Sequence, residues 1–316
     1  MLFNLGFMYT NPTVSVLVPT YNRSGFLKLA IESILRQDYD DYEIIITDNC
    51  STDNTAEVVD GFKDNRIKYY KSLVNVGATR NYNRALQMAT GKYIAVFSDD
   101  DVMLPGNLAV KVQVLDQNTA VGLVQSNTRE IDAQGNVINE KHSQGWNSRI
   151  WSELTGNPFM LGKRAHEILY NEWNFVSMPT VMMRKSILDN NKIEFNNQLT
   201  YIPDWDMWMK LAQYGDFYFI EEPLIQIRTH GNNESSLLTG QILLQERVIS
   251  KLCQLQPNEL VGDFDEIFSQ ILTSVHTQYL FLADTLPTRL DLLRVRVRRM
   301  IPYSFKQGLK QIIKLK

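Results

Sequence analysis

Short apolar runs alternate with segments of helical spacing along the first third of the chain. The runs are rich in β-branched and aromatic residues, as is typical of strands buried on both faces. The predicted strands are Val14–Val18, which Pro19 would end, Tyr42–Thr47, Ile67–Lys71 and Tyr93–Phe97. Helical spacing predicts helices that start at Ser24, which would cap the first of them, at Asn54 and after Gly77. The alternation predicts an α/β fold with a largely parallel sheet and covering helices.

Polar turns follow three of these strands. Because right-handed crossovers bring the loops after parallel strands to one edge of a sheet, these turns should converge there. They contain Tyr21 and Asn22, Asp48 and Asn49, and the triplet 99–101, which is Asp-Asp-Asp. We therefore expect a crevice of nucleotide size at this edge.

Three adjacent carboxylates at the end of a buried strand repel one another unless a cation or hydrogen bonds offset the repulsion. A lone Asp-Asp-Asp triplet is more often a solvated acidic turn. Here the triplet lies where ligands bind in α/β sheets, and hard divalent cations prefer carboxylate oxygen. Neither GxGxxG nor GxxxxGK[ST] occurs at the expected places, so phosphate would have to be neutralised without a glycine cradle. These observations favour a metal site.

The second half of the chain is less regular. Gly135-Asn136 predicts a hairpin turn, and residues 141–170 lack a firm period, which fits either an acceptor loop or a plain surface excursion. The further predicted strands are Val176–Arg184, Phe217–Ile220 and Ile225–Ile227. Three further helices are predicted: one that begins at Pro203, one over Gln241–Leu255 and one over Phe264–Leu286.

The composition is that of an ordinary globular protein, with 316 residues, 44% hydrophobic and 21% charged. Cys50 and Cys253 lie far apart without metal-ligand spacing, which indicates a reducing compartment. No apolar run has the length of a membrane span, and the N-terminal MLFNLGFMYTNP lacks the basic residues of a signal peptide. We therefore expect a cytoplasmic protein.

The C-terminal segment 289–316 differs from the rest in charge. It holds nine Lys or Arg against one Asp, a net charge of +8, so the body carries −11 of the total of −3. Phe305, Leu309, Ile312 and Ile313 share one face of a predicted helix. Such a helix either lies on an anionic membrane surface, at the inner face of the membrane, or packs on the main domain with its lysines in water.

Two stretches, VSVLVPTYNRSGFLKLAIESILRQDYDDYEIIITDNCSTDNT and NVGATRNYNRALQMATGKYIAVFSDDDVMLP, resemble the family 2 glycosyltransferases of the GT-A fold. The resemblance is close over residues 12–125 and looser to residue 236. It implies a glycosyltransferase domain at 12–236, with a nucleotide-sugar-binding half at 12–125 and an acceptor half at 126–236. A helical extension, 237–316, would follow.

The resemblance implies a nucleotide-diphosphate sugar donor, Mn²⁺ or Mg²⁺, and displacement with inversion at the anomeric carbon. It favours UDP as the nucleotide and leaves dTDP and GDP open. The acceptor would be a saccharide or a lipid-linked glycan, and no nucleic acid partner is expected.

The resemblance also assigns roles to the residues at the sheet edge. Pro19, Tyr21 and Asn22 would lie at the nucleotide base, with Asn49 accepting a hydrogen bond from it, or Asp48 in its place. Arg80 would meet the nucleotide and Asp99 the ribose. Asp100, or alternatively Asp101, would bind the metal, and His230 would complete the metal or diphosphate site. Taken singly, Tyr21 could be an ordinary half-buried aromatic residue, Arg80 a solvated helix residue and His230 a structural histidine.

Family members place a Glu-Asp-x-Asp pattern where this chain has Pro203-Asp204-Trp205-Asp206. An acidic pair in a first helical turn is often only favourable placement against the helix dipole. The resemblance makes Asp204 the candidate general base, with Asp206 in reserve, although the glutamate is missing.

Two other functions stay open from the sequence. A sugar-1-phosphate nucleotidyltransferase shares the sheet architecture, but it normally carries an early glycine-rich loop that Val14–Gly25 lacks. A non-catalytic carbohydrate-binding or scaffold protein on the same fold would explain Pro203 in place of the glutamate.

Overall fold

The structure, a computed structural model, describes residues 11–140, 150, 154, 156–231, 240–254 and 271. The strands are β1 Val14–Thr20, β2 Tyr42–Asp48, β3 Ile67–Lys71, β4 Tyr93–Val96, β5 Val102–Met103, β6 Val121–Ile131, β7 Val137–Asn139, β8 Phe159–Met160, β9 Val181–Arg184 and β10 Asp216–Arg228. The helices are α1 Ser24–Leu35, α2 Thr55–Gly61, α3 Ala78–Met88, α4 Asn107–Gln117, α5 Gly162–Asn171, α6 Lys185–Asn191, α7 Pro203–Leu211 and α8 Gly240–Gln254, with a 3₁₀ turn at Met178–Thr180.

All ten strands of the described residues join one sheet, in the order β3-β2-β1-β4-β9-β6-β10-β5, with β7 beside β6 and β8 beside β10. β1 pairs in parallel with β2 and β4, β2 pairs in parallel with β3, and β6 pairs in parallel with β10. β9 is antiparallel to both β4 and β6, so β1, β2, β3, β4, β6 and β10 share one direction, and β5, β7, β8 and β9 run against it. The carboxyl ends of β1, β2, β4, β6 and β10 therefore lie on one edge, and the predicted α/β sheet is confirmed.

Apolar side chains cover both faces of the sheet. Successive residues of β2 alternate between two clusters, with Ile45 in one and Ile44 and Ile46 in the other. The first cluster takes in residues of α3, α5, α7 and α8, and the second takes in residues of α1, α2 and α4. This two-sided burial explains why the strands read as continuous apolar runs.

Several predicted boundaries are wrong. Pro19 lies inside β1, which continues to Thr20, and the side chain of Ser24 does not cap α1, because Ser24 is already its first residue. The predicted strand Val176–Arg184 is a strand only from Val181, after the 3₁₀ turn. The two strands predicted after residue 216 form the single strand β10, whose register against β6 shifts at three points.

Helix α8, which lies in the predicted helical extension, packs against the main domain. Leu243, Val248 and Ile249 of α8 are buried in the same cluster as residues of α5 and α7. The predicted helix at 264–286 and the basic segment 289–316 lie outside the described residues, apart from Ile271, which is buried in this cluster. No helix in the described part of the chain is both long enough and apolar enough to cross a membrane.

Gly91 offers a test of the packing that holds β4 against β1. A Cβ atom at this position would lie 2.5 Å from the backbone nitrogen of Ser15 and 2.8 Å from its Oγ. We expect Gly91→Ala to lower the free energy of unfolding by about 1–3 kcal/mol, the usual cost of overpacking. Gly61→Ala is the matched control, because a Cβ there meets nothing within 4 Å. Equal unfolding free energies for the two variants in urea would contradict the expectation.

Candidate active site

The aspartate triplet is held at the edge of the sheet by β5 and β10. β4 ends just before the triplet, and β5, just after it, pairs with Gln226 and Ile225 of β10. The backbone N–H of Arg228 donates to Asp101 Oδ1 at 2.9 Å, and its Nε donates to the carbonyl of Asp100 at 2.8 Å. The triplet is therefore fixed by the strand that leads to His230.

Asp101 helps to hold the triplet against β10. Its carboxylate is buried, accepts from the backbone of Arg228, and has its pKa raised well above the usual range by burial and then by the charge of Asp100. This arrangement favours a structural role for Asp101 over its predicted alternative role as a metal ligand.

Arg23 is a site residue that the sequence reasoning missed. Its Nη1 lies 2.9 Å from Asp100 Oδ2 and 3.2 Å from Asp99 Oδ1, and both carboxylates are buried. Burial raises the pKa of Asp99 to about 6, the charge of Asp100 adds to the shift, and Arg23 opposes it. Its position in the turn after β1, on the same edge as the triplet, was the available signal.

His230 lies where the prediction places it. Its Nε2 is 3.1 Å from Asp100 Oδ2, and its ring stacks on Phe26 with centroids 4.8 Å apart. The described residues hold no group of three or more His, Cys, Asp or Glu side chains that could bind a metal. Asp100 and His230 nevertheless offer two suitable donors side by side, and Mg²⁺ or Mn²⁺ commonly takes its other ligands from phosphate and water. The residues fit a cation that arrives with a diphosphate.

The turns after β1 and β2 are fastened to each other. Asn22 has a left-handed backbone (φ 53°), its N–H donates to Ser51 Oγ at 2.9 Å, and its Oδ1 accepts from the N–H of Thr52 at 2.7 Å. Tyr21 is 45% exposed, which leaves its ring available for stacking, whereas Pro19 is buried within β1. Tyr21 is therefore better placed than Pro19 to contact a base.

Asp48 and Asn49 support the loops around them. Asp48 accepts from the N–H of Ser51 at 2.7 Å and from the Tyr69 hydroxyl at 2.5 Å, so each of its oxygens has a donor. Asn49 Oδ1 accepts from the N–H of Val76 at 2.8 Å. This arrangement does not favour Asp48 as a base reader, and Asn49 would have to share its oxygen.

Arg80 lies on an exposed position of α3. In the part of the chain that is described, no hydrogen bond or ion pair connects it to the aspartates, and its predicted role stays a prediction.

The first turn of α7 lies on the same edge of the sheet. Thr79, at the start of α3, donates to the carbonyl of Leu199 at 2.8 Å, and α3 follows the loop that binds Asn49. Asp204 keeps partial contact with solvent, and Asn174 Nδ2 donates to its Oδ2 at 3.2 Å. The surrounding protein still removes much of its hydration and raises its pKa to about 6.

Asp206 is in a different environment. It is fully buried, accepts from Ser250 Oγ at 2.7 Å and Gln254 Nε2 at 3.2 Å, and pairs with Lys210 at 2.7 Å. A proton acceptor needs an oxygen that substrate can reach, so these contacts favour Asp204 over Asp206.

A family model described as Glycosyl transferase family 2 matches residues 15–191, which is more than half of the chain. The chain belongs to glycosyl transferase family 2. The match covers the whole edge built by β1, β2 and β4 and ends before α7.

One curated relative in this family is the GalNAc(5)-diNAcBac-PP-undecaprenol beta-1,3-glucosyltransferase of Campylobacter jejuni. It is 33% identical over 210 residues, covering 66% of this chain and 62% of that protein.

Solved structures of glycosyltransferases share the fold. TarS of S. aureus in complex with UDP-GlcNAc has a TM-score of 0.61 at 17% identity, covering 95% of this chain and 82% of that one. The mannosyltransferase PcManGT of Pyrobaculum calidifontis, in complex with GDP-Man and Mn²⁺, has a TM-score of 0.56 at 18% identity, covering 96% and 85%. The predicted GT-A fold is thereby confirmed.

Proposed function

We propose that this family 2 glycosyltransferase transfers a sugar, with inversion, from a nucleotide-diphosphate donor to a saccharide or lipid-linked acceptor in glycan synthesis. One observation carries the proposal: Asp99 and Asp100 are buried beside Arg23 and His230, at the edge where the strands end. Such a cluster of opposite charges suits a diphosphate with its cation.

The proposed binding of the donor combines these contacts with the roles that the family resemblance implies. Tyr21 would stack on the base and Asp99 would accept from the ribose hydroxyls. Asp100 and His230 would hold the Mn²⁺ or Mg²⁺ ion, which, when bound, offsets the charge that develops on the departing diphosphate. Arg23 can pair with the diphosphate instead of Asp100, because both anions would lie within reach of one guanidinium.

Asp204 is the proposed general base. Its carboxylate accepts the proton of the acceptor hydroxyl while that oxygen forms a bond to the anomeric carbon. The bond between the anomeric carbon and the diphosphate oxygen breaks at the same time, and the nucleoside diphosphate leaves with the electron pair. Attack from the face opposite the leaving group inverts the anomeric configuration.

The related proteins support particular classes of donor and acceptor. UDP-GlcNAc in the TarS complex supports a UDP-sugar, while GDP-Man in the PcManGT complex keeps GDP as an alternative, and dTDP stays open. The undecaprenol-linked substrate in the relative's name supports a lipid-linked acceptor. Contact of segment 289–316 with an anionic membrane at the inner face stays a prediction from its sequence.

Thermal stability with nucleotides tests the donor site. A ligand that binds the native state raises the melting temperature by mass action. With UDP, GDP and dTDP, each with and without Mn²⁺, we expect one nucleotide to raise it by several degrees only when Mn²⁺ is present, because the cation links Asp100 to the diphosphate. Asp60→Asn, at an exposed surface carboxylate, should respond like the unchanged protein. No shift with any nucleotide would contradict the donor site and favour a scaffold role.

A further inference from the structure

Glu246 of α8 binds the chain segment that leads into α7. Its Oε1 accepts from the backbone N–H of Thr200 at 2.8 Å. Its Oε2 accepts from the N–H groups of Tyr201 and Ile202 at 2.8 and 2.9 Å. The side chain is only 7% exposed, so three backbone donors converge on one buried carboxylate.

The Glu246 carboxylate takes the place of a capping side chain at the start of α7, where no side-chain cap is present. A helix begins with backbone N–H groups that lack partners within it, and a capping side chain usually binds one of them. The capping position of α7 is Ile202, which has no side-chain acceptor, and the next residue is Pro203, which has no N–H. Glu246 instead binds the N–H groups just before the helix, and its negative charge lies near the positive end of the helix dipole.

Arg247, the next residue of α8, holds the other side of the same turn. Its guanidinium lies 3.8 Å from the ring centroid of Trp205, and its Nη2 donates to the carbonyls of Leu169 and Tyr170 at 3.1 and 2.8 Å. Trp205 Nε1 also donates to Leu169. Asp204 thus lies between a segment fixed by Glu246 and a ring covered by Arg247.

We propose that Glu246 is a positioning residue for glycosyl transfer: it fixes the segment 200–202 and thereby the Asp204 carboxylate against the acceptor hydroxyl. The inference rests on the proposed role of Asp204. Glu246 does not touch the reacting atoms. Glu246 lies beyond residue 191, where the match to the family model ends.

The charge of Glu246 adds a second effect. Burial is the largest cause of the raised pKa of Asp204, and the negative charge of Glu246 raises it further. Charged groups of the described residues that pack on the same two helices include Arg247 and Lys251 of α8, and Asp206 and Lys210 of α7. Loss of the charge at position 246 should therefore make Asp204 easier to deprotonate.

Glu246→Gln separates positioning from stability. The amide retains the size but presents an NH₂ group to backbone donors, so the segment 200–202 must shift. We expect kcat for nucleoside diphosphate release from UDP-GlcNAc, UDP-glucose or GDP-mannose, whichever turns over, to fall by about tenfold. KM for the donor should stay unchanged, since Glu246 binds the segment 200–202 and none of the residues proposed to hold the donor. The acid limb of the kcat profile should move to lower pH, and the amides of 200–202 should exchange hydrogen faster.

Val248→Ala is the matched control, because Val248 is buried in α8 and Glu246, not Val248, holds the segment. It should lower the melting temperature while leaving kcat and the acid limb in place. Glu246→Asp, which keeps the charge but shortens the reach, should lower kcat without moving the limb. Unchanged kcat and an unchanged limb in folded Glu246→Gln and Glu246→Asp would overturn the positioning role. Asp204→Asn, measured in parallel, distinguishes the two failures: an inactive Asp204→Asn with a normal Glu246→Gln leaves the proposed base standing.

Discussion

Asp100→Asn is expected to lower glycosyl transfer by about a hundredfold or more, since it removes the charge that would hold the cation on the diphosphate. The amide has almost the same shape, and Arg23 and His230 stay in place around it. The Mn²⁺-dependent rise in melting temperature with the nucleotide should disappear as well. Steady-state release of nucleoside diphosphate and thermal unfolding measure the two effects.

The same substitution should leave the protein folded. The charge of Asp100 raises the pKa values of both Asp99 and Asp101, so its removal relieves repulsion within the triplet. The loss of the ion pair between Asp100 and Arg23 acts in the opposite direction, but Arg23 keeps Asp99 as a partner, so the melting temperature without nucleotide should change little. Asp60→Asn, at a side chain that is 86% exposed, is the control for the loss of one negative charge. Near-normal turnover of Asp100→Asn with intact dependence on Mn²⁺ would refute the role of Asp100 as a metal ligand.

The sheet edge could be predicted from the sequence because local pattern determines it. The apolar runs at β1, β2 and β4 end in polar residues, and parallel strands bring those ends together whatever follows. The direction of β9 could not be read in this way, because its four residues Val-Met-Met-Arg would suit either direction. The direction of β9 is set by its pairing with β4 and β6, which lie far from it in the sequence and to which it is antiparallel.

Helix α5 was missed for a related reason. It begins at Gly162, which usually argues against a helix, and it follows a stretch without a clear period. A Cβ atom at Gly162 would lie 2.3 Å from the carbonyl oxygen of Ala212, so the glycine permits close packing against the end of α7. That contact spans fifty residues and leaves no trace in the local pattern.

The candidate site shows the same limit. The resemblance to the family assigned roles to Asp99, Asp100 and His230, and the structure places these three residues together. The contacts that decide between neighbouring carboxylates are long-range. Asp48 and Asp101 are satisfied by Tyr69 and the backbone of Arg228, and no sequence spacing indicates this.

Asp204→Asn is expected to reduce kcat by about a hundredfold to ten-thousandfold, because the amide cannot accept the acceptor proton. The variant should fold normally, since Asn174 can still donate to the remaining oxygen and a partly desolvated charge is removed. Nucleotide binding, measured by the Mn²⁺-dependent thermal shift, should be unchanged. Asp206→Asn is the structural comparison: it weakens the contacts with Lys210, Ser250 and Gln254, and should lower the melting temperature more than kcat.

The raised pKa of Asp204 predicts how turnover changes with pH. A base works in its deprotonated form, and the pKa of Asp204 is raised to about 6. Turnover of the unchanged enzyme should therefore rise with pH through about 6 and level off above it, and this limb should vanish in Asp204→Asn. If Asp204→Asn turned over normally with the limb intact, another group would be the base. If both proteins bound nucleotide and neither turned over, Pro203 in place of the family glutamate would mark a binding protein, because the fold and the donor edge survive without a working base.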